Sequence, residues 1–157
     1  MIKIVAVGKI KEKYFKDAIS EYVKRLSPYT KLEIIEVLDE KTSENNEGIN
    51  LLAKENEGKR ILSKINDDEY VIALDLHGKD LSSEQLAKKV EEINIYHSSK
   101  ITFVIAGSLG YSENVLRRAN FRWRLSNCTF PHQMVRMLLV EQLYRAYKIN
   151  NNEPYHK

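Results

Sequence analysis

His132 and Arg136 stand four residues apart in "LSNCTFPHQMVR", where small polar residues meet an apolar stretch that continues to Ile149. On a helix, that spacing puts both side chains on one face. An imidazole titrates near neutral pH and can take a proton, while a guanidinium is permanently charged and grips anions through several hydrogen bonds. Together they could deprotonate a weak acid and hold the anion that results. Leu139, Val140 and Leu143 share the side of Arg136, whereas Glu141, Arg145 and Lys148 fall on the opposite side. Arg136 is thus a charge on an apolar stripe. It either faces an anionic ligand group, pairs with a core carboxylate, or snorkels from near the helix end.

A second candidate lies in "AGSLG", Ala106 to Gly110. With Ala in the first glycine position it approximates a nucleophile elbow, and a Ser108–His132 hydrolase is one reading. The only acid between those two residues is Glu113, and such hydrolases usually need a longer chain. A tight strand-to-helix turn whose backbone approaches a ligand is the preferred reading. The tail "NNEPYHK" adds Tyr155 and His156, a stacking ring beside a proton carrier, where a frayed polar end is the ordinary expectation. His77, His97, His132 and His156 are too scattered for a local metal motif, and the sole cysteine, Cys128, excludes an internal disulfide. No metal is expected. Neither G-x-G-x-x-G nor a P-loop occurs, so NAD and ATP are poor candidates.

Alternating strands and helices position these residues. "IKIVAV", "KLEIIEV", "YVIALDL" and "ITFVIAG" read as apolar strands, and "FRWRL" as a fifth near an edge. Between them lie helical patterns: Tyr14 to Leu26, ended by Pro28; a charged helix from Leu51 to Ile65 after a polar loop; one opened by a Ser82–Gln85 capping box; and a short one capped by Ser112. The last helix runs from about Pro131 to Ile149 and is apolar on most faces, which suggests packing against a second subunit. Continuous apolar strands separated by helices indicate an α/β fold with a mostly parallel sheet flanked by helices. In such sheets ligands sit beyond the carboxyl ends of the strands. "GKIKEK", "DLHGK", "AGSLGYS" and "SNCTFPH" are therefore the segments to inspect.

The 157 residues read as one domain, 1–157, with 43% apolar and 30% charged residues, a soluble and cytoplasmic composition. No run is long enough to span a membrane, and the N-terminus lacks signal-peptide features. The net charge of +3 is unevenly spread, with +4 over residues 1–30, −5 over 31–70 and +6 over 100–157. The basic segments flank the candidate site, as an anionic partner such as RNA would require.

"AVGK", "EYVKRLSPY", "LDLHGK", "FVIAGSLG", "LSNCTFPHQMVRMLLVEQLYRAYKI" and the closing "PYHK" resemble the RlmH family of SPOUT-class methyltransferases along essentially the whole chain. The resemblance implies a SPOUT-type sheet with a C-terminal trefoil knot, S-adenosylmethionine as cofactor, a homodimer, and N3 of a pseudouridine in 23S rRNA of the assembled ribosome as acceptor. It implies a cofactor pocket of Leu74, Ala106, Gly107, Leu125, Ser126, Asn127, Cys128, Thr129 and Phe130. The family's usual glycine pair is Ala106-Gly107 here, which places a methyl group beside the cofactor but keeps the backbone contact. Methyl transfer from a sulfonium needs alignment and a base rather than a covalent nucleophile. His132 or His156 would be that base, and Arg136 would bind RNA phosphate or stabilise the imide anion. Lys9, Lys11, Lys13, Arg122 and Arg124 would contact the RNA backbone, and Tyr155 would stack on a base. The rivals are a SPOUT methyltransferase acting on tRNA, the Ser108 hydrolase, and a catalytically silent RNA-binding dimer.

Overall fold

A computed structural model describes residues 1–157. The chain alternates β1 (Ile2–Val7), α1 (Lys13–Leu26), β2 (Leu32–Val37), α2 (Glu47–Leu62), β3 (Tyr70–Asp80), α3 (Ser83–Tyr96), β4 (Ile101–Ile105), α4 (Glu113–Arg118), β5 (Phe121–Arg124) and α5 (His132–Asn150). The strands form one sheet in the order β2-β1-β4-β3-β5, and every pairing is parallel. This is the α/β architecture expected from the apolar runs, with "FRWR" on an edge strand.

The strand period of two divides the sheet's side chains between two cores. Ile2, Ile4 and Ala6 of β1 join Ile72, Phe103 and Trp123 beneath α1, α3 and α5. Val5 and Val7 join Val71 and Val104 beneath Ile61 of α2 and Val115 of α4. The local signals act where they were read. Ser82 and Gln85 form a reciprocal capping box, and Ser112 accepts from the Val115 amide. Helix α2 begins earlier than its apolar residues suggested, because Asn46 caps it by accepting from the Ile49 amide. β3 also outruns its apolar run, continuing to Asp80 through an irregularity in its pairing with β5 between Leu74 and Lys79.

The apolar character of α5 has an explanation inside one chain. It packs between α1 and α3 over the larger core, with Leu139, Val140, Leu143 and Ala146 fully buried. No helix is long and apolar enough to cross a membrane.

One polar cluster is buried toward the amino ends of β1 and β4. Lys3 Nζ donates to Glu69 Oε1 and to the Lys64 carbonyl, and Thr102 Oγ1 donates to Glu69 Oε2 at 2.7 Å. Glu69 is 5% exposed, so removing its cation leaves a buried charge with too few partners. Lys3→Ala is expected to lower unfolding free energy by about 3 kcal/mol. Urea titration would register this as a lower midpoint at an unchanged slope.

Candidate active site

The carboxyl ends of β1, β3 and β4 and the loop between β5 and α5 converge. Gly8 turns the chain at φ +90°, a conformation a side chain would strain. The His132 ring faces the position its Cβ would take, at 3.5 Å. Leu74, the 105–111 turn, residues 125–126 and 128–131 and the start of α5 enclose a cavity of about 640 Å³, half of whose lining residues are hydrophobic. That volume lies within the ~300–1,000 Å³ typical of small-molecule pockets.

Tyr111 joins two walls of this cavity. Its hydroxyl lies 2.7 Å from the carbonyl oxygens of both Leu74 and Val104 and accepts from the Ala106 amide at 3.3 Å. Burial holds the phenol well above its ordinary pKa, so it stays a neutral donor. Behind the same turn sits Glu57, 4% exposed. Its Oε2 accepts from the Glu40 amide at 2.8 Å, while Oε1 is buried with no partner. A Cβ at Gly107 would come within 3.1 Å of both Glu57 Oε1 and Val7 Cγ1. Residue 107 is therefore the close-packed position of the Ala106-Gly107 pair. Burial raises the Glu57 carboxyl above the ordinary range, the charges of Asp39 and Glu40 add to this, and the Glu40 amide opposes it.

Arg136 is 2% exposed. Its Nη1 donates to Glu36 Oε2 at 2.6 Å and its Nη2 to the Gly8 carbonyl at 3.1 Å. The anion that Arg136 meets is thus Glu36 of β2, which is the carboxylate pairing among the three readings of its helical face. Burial alone would raise the Glu36 carboxyl, but the Arg136 hydrogen bond and charge and the Ile10 amide together hold it below its ordinary value. His132, one turn earlier, lines the cavity, and its Nδ1 is buried without a partner.

The structure gathers most of the cofactor residues read from the sequence. Leu74, Ala106, Gly107, Leu125, Ser126, Cys128, Thr129 and Phe130 line the cavity, while Asn127 lies in the same loop but outside the lining. Arg122 reaches the cavity and pairs with Asp75, and Arg124 pairs with Asp80. Lys13 pairs with Asp17 on the surface of α1. Ser108 borders the cavity, but no hydrogen bond joins it to His132 and no carboxylate orients that histidine. His156 and Tyr155 are not brought to His132. His156 Nδ1 accepts from Arg145 at 3.1 Å and its Nε2 faces Glu84 at 2.7 Å, while the Tyr155 hydroxyl donates to Glu141. No group of three His, Cys, Asp or Glu side chains is arranged to hold a metal.

The family model described as "Predicted SPOUT methyltransferase" matches residues 1–156. The chain belongs to the SPOUT methyltransferase family. It is 55% identical to the ribosomal RNA large subunit methyltransferase H of Carboxydothermus hydrogenoformans, over 99% of each chain. Proteins of that name from Clostridium novyi and Bifidobacterium adolescentis are 54% and 52% identical, also over 99% of each chain. A solved structure, a probable methylase family protein from Haemophilus influenzae, superposes with a TM-score of 0.52 at 15% identity, covering 99% of this chain and 70% of that one. At that identity it supports the fold alone. The strand-end cavity thus stands on a SPOUT sheet, and the residues sequence reasoning missed are those that support it. Glu36, Glu57 and Tyr111 carry no local motif, and only tertiary contact reveals them.

A carboxyl whose folded pKa is raised favours the folded state only when protonated, and that advantage is lost as pH rises through the folded value. Glu57→Gln keeps the shape and cannot ionise. Thermal melts should therefore find Glu57→Gln more stable than the parent near pH 8, with the gap closing as pH falls toward the ordinary carboxylate range.

Proposed function

We propose that this methyltransferase moves the methyl group of S-adenosylmethionine to N3 of a pseudouridine in 23S ribosomal RNA, acting in the cytoplasm on the assembled ribosome. The observation that carries the reading is full-length identity of 52–55% to relatives named ribosomal RNA large subunit methyltransferase H. The proposal also includes a homodimer and a trefoil knot in the C-terminal segment, both supported by membership of the family.

The residues present suit the cofactor. A cavity of about 640 Å³ at strand ends offers apolar walls from Leu74, Leu125 and Phe130 and the Ala106-Gly107 turn in its lining. When bound, S-adenosylmethionine supplies a methyl group on a sulfonium, whose carbon–sulfur bond pair leaves with the sulfur as the acceptor nitrogen attacks in line. The protein supplies position and proton transfer. The 125–130 loop and the 106–107 turn would hold the cofactor, with Tyr111 tying the turn to Leu74. His132 at the cavity wall would take the N3 proton, leaving the N–H electron pair on nitrogen to form the new bond. Arg136 would act as a positioning residue, fixing Gly8 and the first turn of α5 rather than touching RNA. Tyr155 and His156 lie outside this chain's cavity, so in the homodimer they would act at the second copy's site. The +6 balance over residues 100–157 would favour the rRNA backbone.

Radiolabelled S-adenosylmethionine should label ribosomes that lack the modification. Transfer to tRNA instead would discard the substrate, and no transfer by folded protein with bound cofactor would discard the reading. His132→Asn should lower turnover by about 10²–10⁴-fold, the usual contribution of a general base, with S-adenosylhomocysteine affinity by calorimetry unchanged. Arg136→Ala should lower unfolding free energy by about 2–3 kcal/mol, less than a fully buried pair because Glu36 is partly solvated. A stable Arg136→Ala protein would overturn the positioning role.

A further inference from the structure

Of the two buried carboxylates, Glu69 is paired with Lys3, but Glu57 meets no cation. Its Oε2 accepts from the Glu40 amide and its Oε1 has no partner. Gly107, which lines the strand-end cavity, packs directly against that carboxylate, with Val7 beside it. We propose that Glu57, acting through Gly107 without touching the cofactor, raises the site's affinity for cationic S-adenosylmethionine relative to the product S-adenosylhomocysteine, whose sulfur is uncharged, and loses a proton when the cation binds. The proposal rests on the methyl-transfer reading and adds how that site tells donor from product.

The charge of the cavity wall is the first support. Asp75 is the only carboxylate among the lining residues, and it is held by Arg122 and by the His77 amide. With that pair cancelled, Lys54 leaves the lining positive, since it forms no ion pair within the chain. A sulfonium adds another positive charge, and burying one against such a wall is unfavourable unless a carboxylate stands near. Glu57 stands one residue behind the wall.

The second support is the set of charges around Glu57 itself. Asp39 and Glu40 approach from the loop after β2, and both oppose its ionisation. Arg60 on α2 favours ionisation but is committed to Glu40 and to the Leu38 carbonyl. Lys54 lies one turn earlier on α2 and makes no bond to Glu57. Glu113 and Arg117 of α4 pair with each other in solvent, while β1 and the turn present only Val7 and Gly107. Burial is the main reason that this carboxyl holds its proton above the ordinary carboxylate range. A positive charge arriving behind Gly107 therefore meets a group able to respond.

The proton balance follows. The bound sulfonium favours the carboxylate form, so the carboxyl O–H bond breaks and the proton passes to solvent. After transfer the sulfur keeps the carbon–sulfur electron pair and is neutral. Glu57 then has no counter-charge, takes a proton back from solvent, and no longer favours the bound ligand. Across a wall one residue thick, at about 8 Å and an effective dielectric of about 20, one unit charge changes affinity by about tenfold or more.

Isothermal calorimetry tests this with S-adenosylmethionine, S-adenosylhomocysteine and sinefungin, whose ammonium replaces the sulfonium. Titrations between about pH 5 and 6.5 keep the amino groups of all three ligands protonated. Paired buffers of different ionisation enthalpy count the protons released. His132 lines the same cavity and can release a proton too, so the readout is the difference between the parent and Glu57→Gln. In the parent, the two cations should release more protons than S-adenosylhomocysteine and bind more tightly as pH rises. In Glu57→Gln that extra release should fall, and at the top of the range both cations should bind about tenfold more weakly. S-adenosylhomocysteine affinity should not change. Equal losses for all three ligands would reduce Glu57 to a structural role, and unaltered cation affinity or proton release in Glu57→Gln would equally overturn the proposal. A parent protein that binds both S-adenosyl ligands with equal proton release loses the Glu57 assignment alone. A parent that binds neither loses the methyl-transfer reading as well.

Discussion

The pairing of Arg136 with Glu36 and the Gly8 carbonyl organises the catalytic end of the molecule. Helix α5 buries an apolar face between α1 and α3, and a guanidinium on that face is tolerated only when its charge is met. Glu36 at the end of β2 meets it, and the carbonyl of Gly8 takes a second N–H. Three elements distant in sequence are thereby brought to one point. The first turn of α5 is held over the end of β1, and His132 is delivered to the wall of the strand-end cavity.

The two ends of the sheet handle polar groups differently. Near the amino ends, Lys3, Glu69 and Thr102 satisfy one another in a closed cluster. Near the carboxyl ends, Glu57 Oε1 and His132 Nδ1 are buried with no partner. Trp123 Nε1 and Arg136 Nε are buried without a partner as well, and of these four residues only His132 lines the strand-end cavity; each such atom costs stability. Tyr111 supports the same region differently, since a neutral hydroxyl can bond to backbone from two strands without introducing a charge.

Much of the architecture was legible because it rests on local physics. β-branched runs marked the strands, serine caps marked helix starts at Ser82 and Ser112, and the general placement of ligands beyond parallel strand ends located the cavity before its walls were known. The Arg136 problem was legible as a charge on an apolar stripe, but its solution was not. Glu36 sits a hundred residues away in an ordinary strand, and nothing in its neighbourhood marks it as a partner. Glu57 looked like one more charge on a charged helix, and its burial depends on the 107 turn and the Glu40 amide approaching from other elements.

By itself the sequence determined the element order, the parallel α/β class, the strand-end segments and the chemical types gathered there, because periodicity, caps and turn residues act over a few neighbours. Tertiary structure alone decided that Arg136 faces Glu36, that Gly107 rather than Ala106 is the close-packed position, and that Tyr155 and His156 fold against Glu141, Arg145 and Glu84 away from His132. These are matters of which distant groups share a buried volume, and burial energies depend on the assembled surroundings rather than on the chain's immediate neighbours.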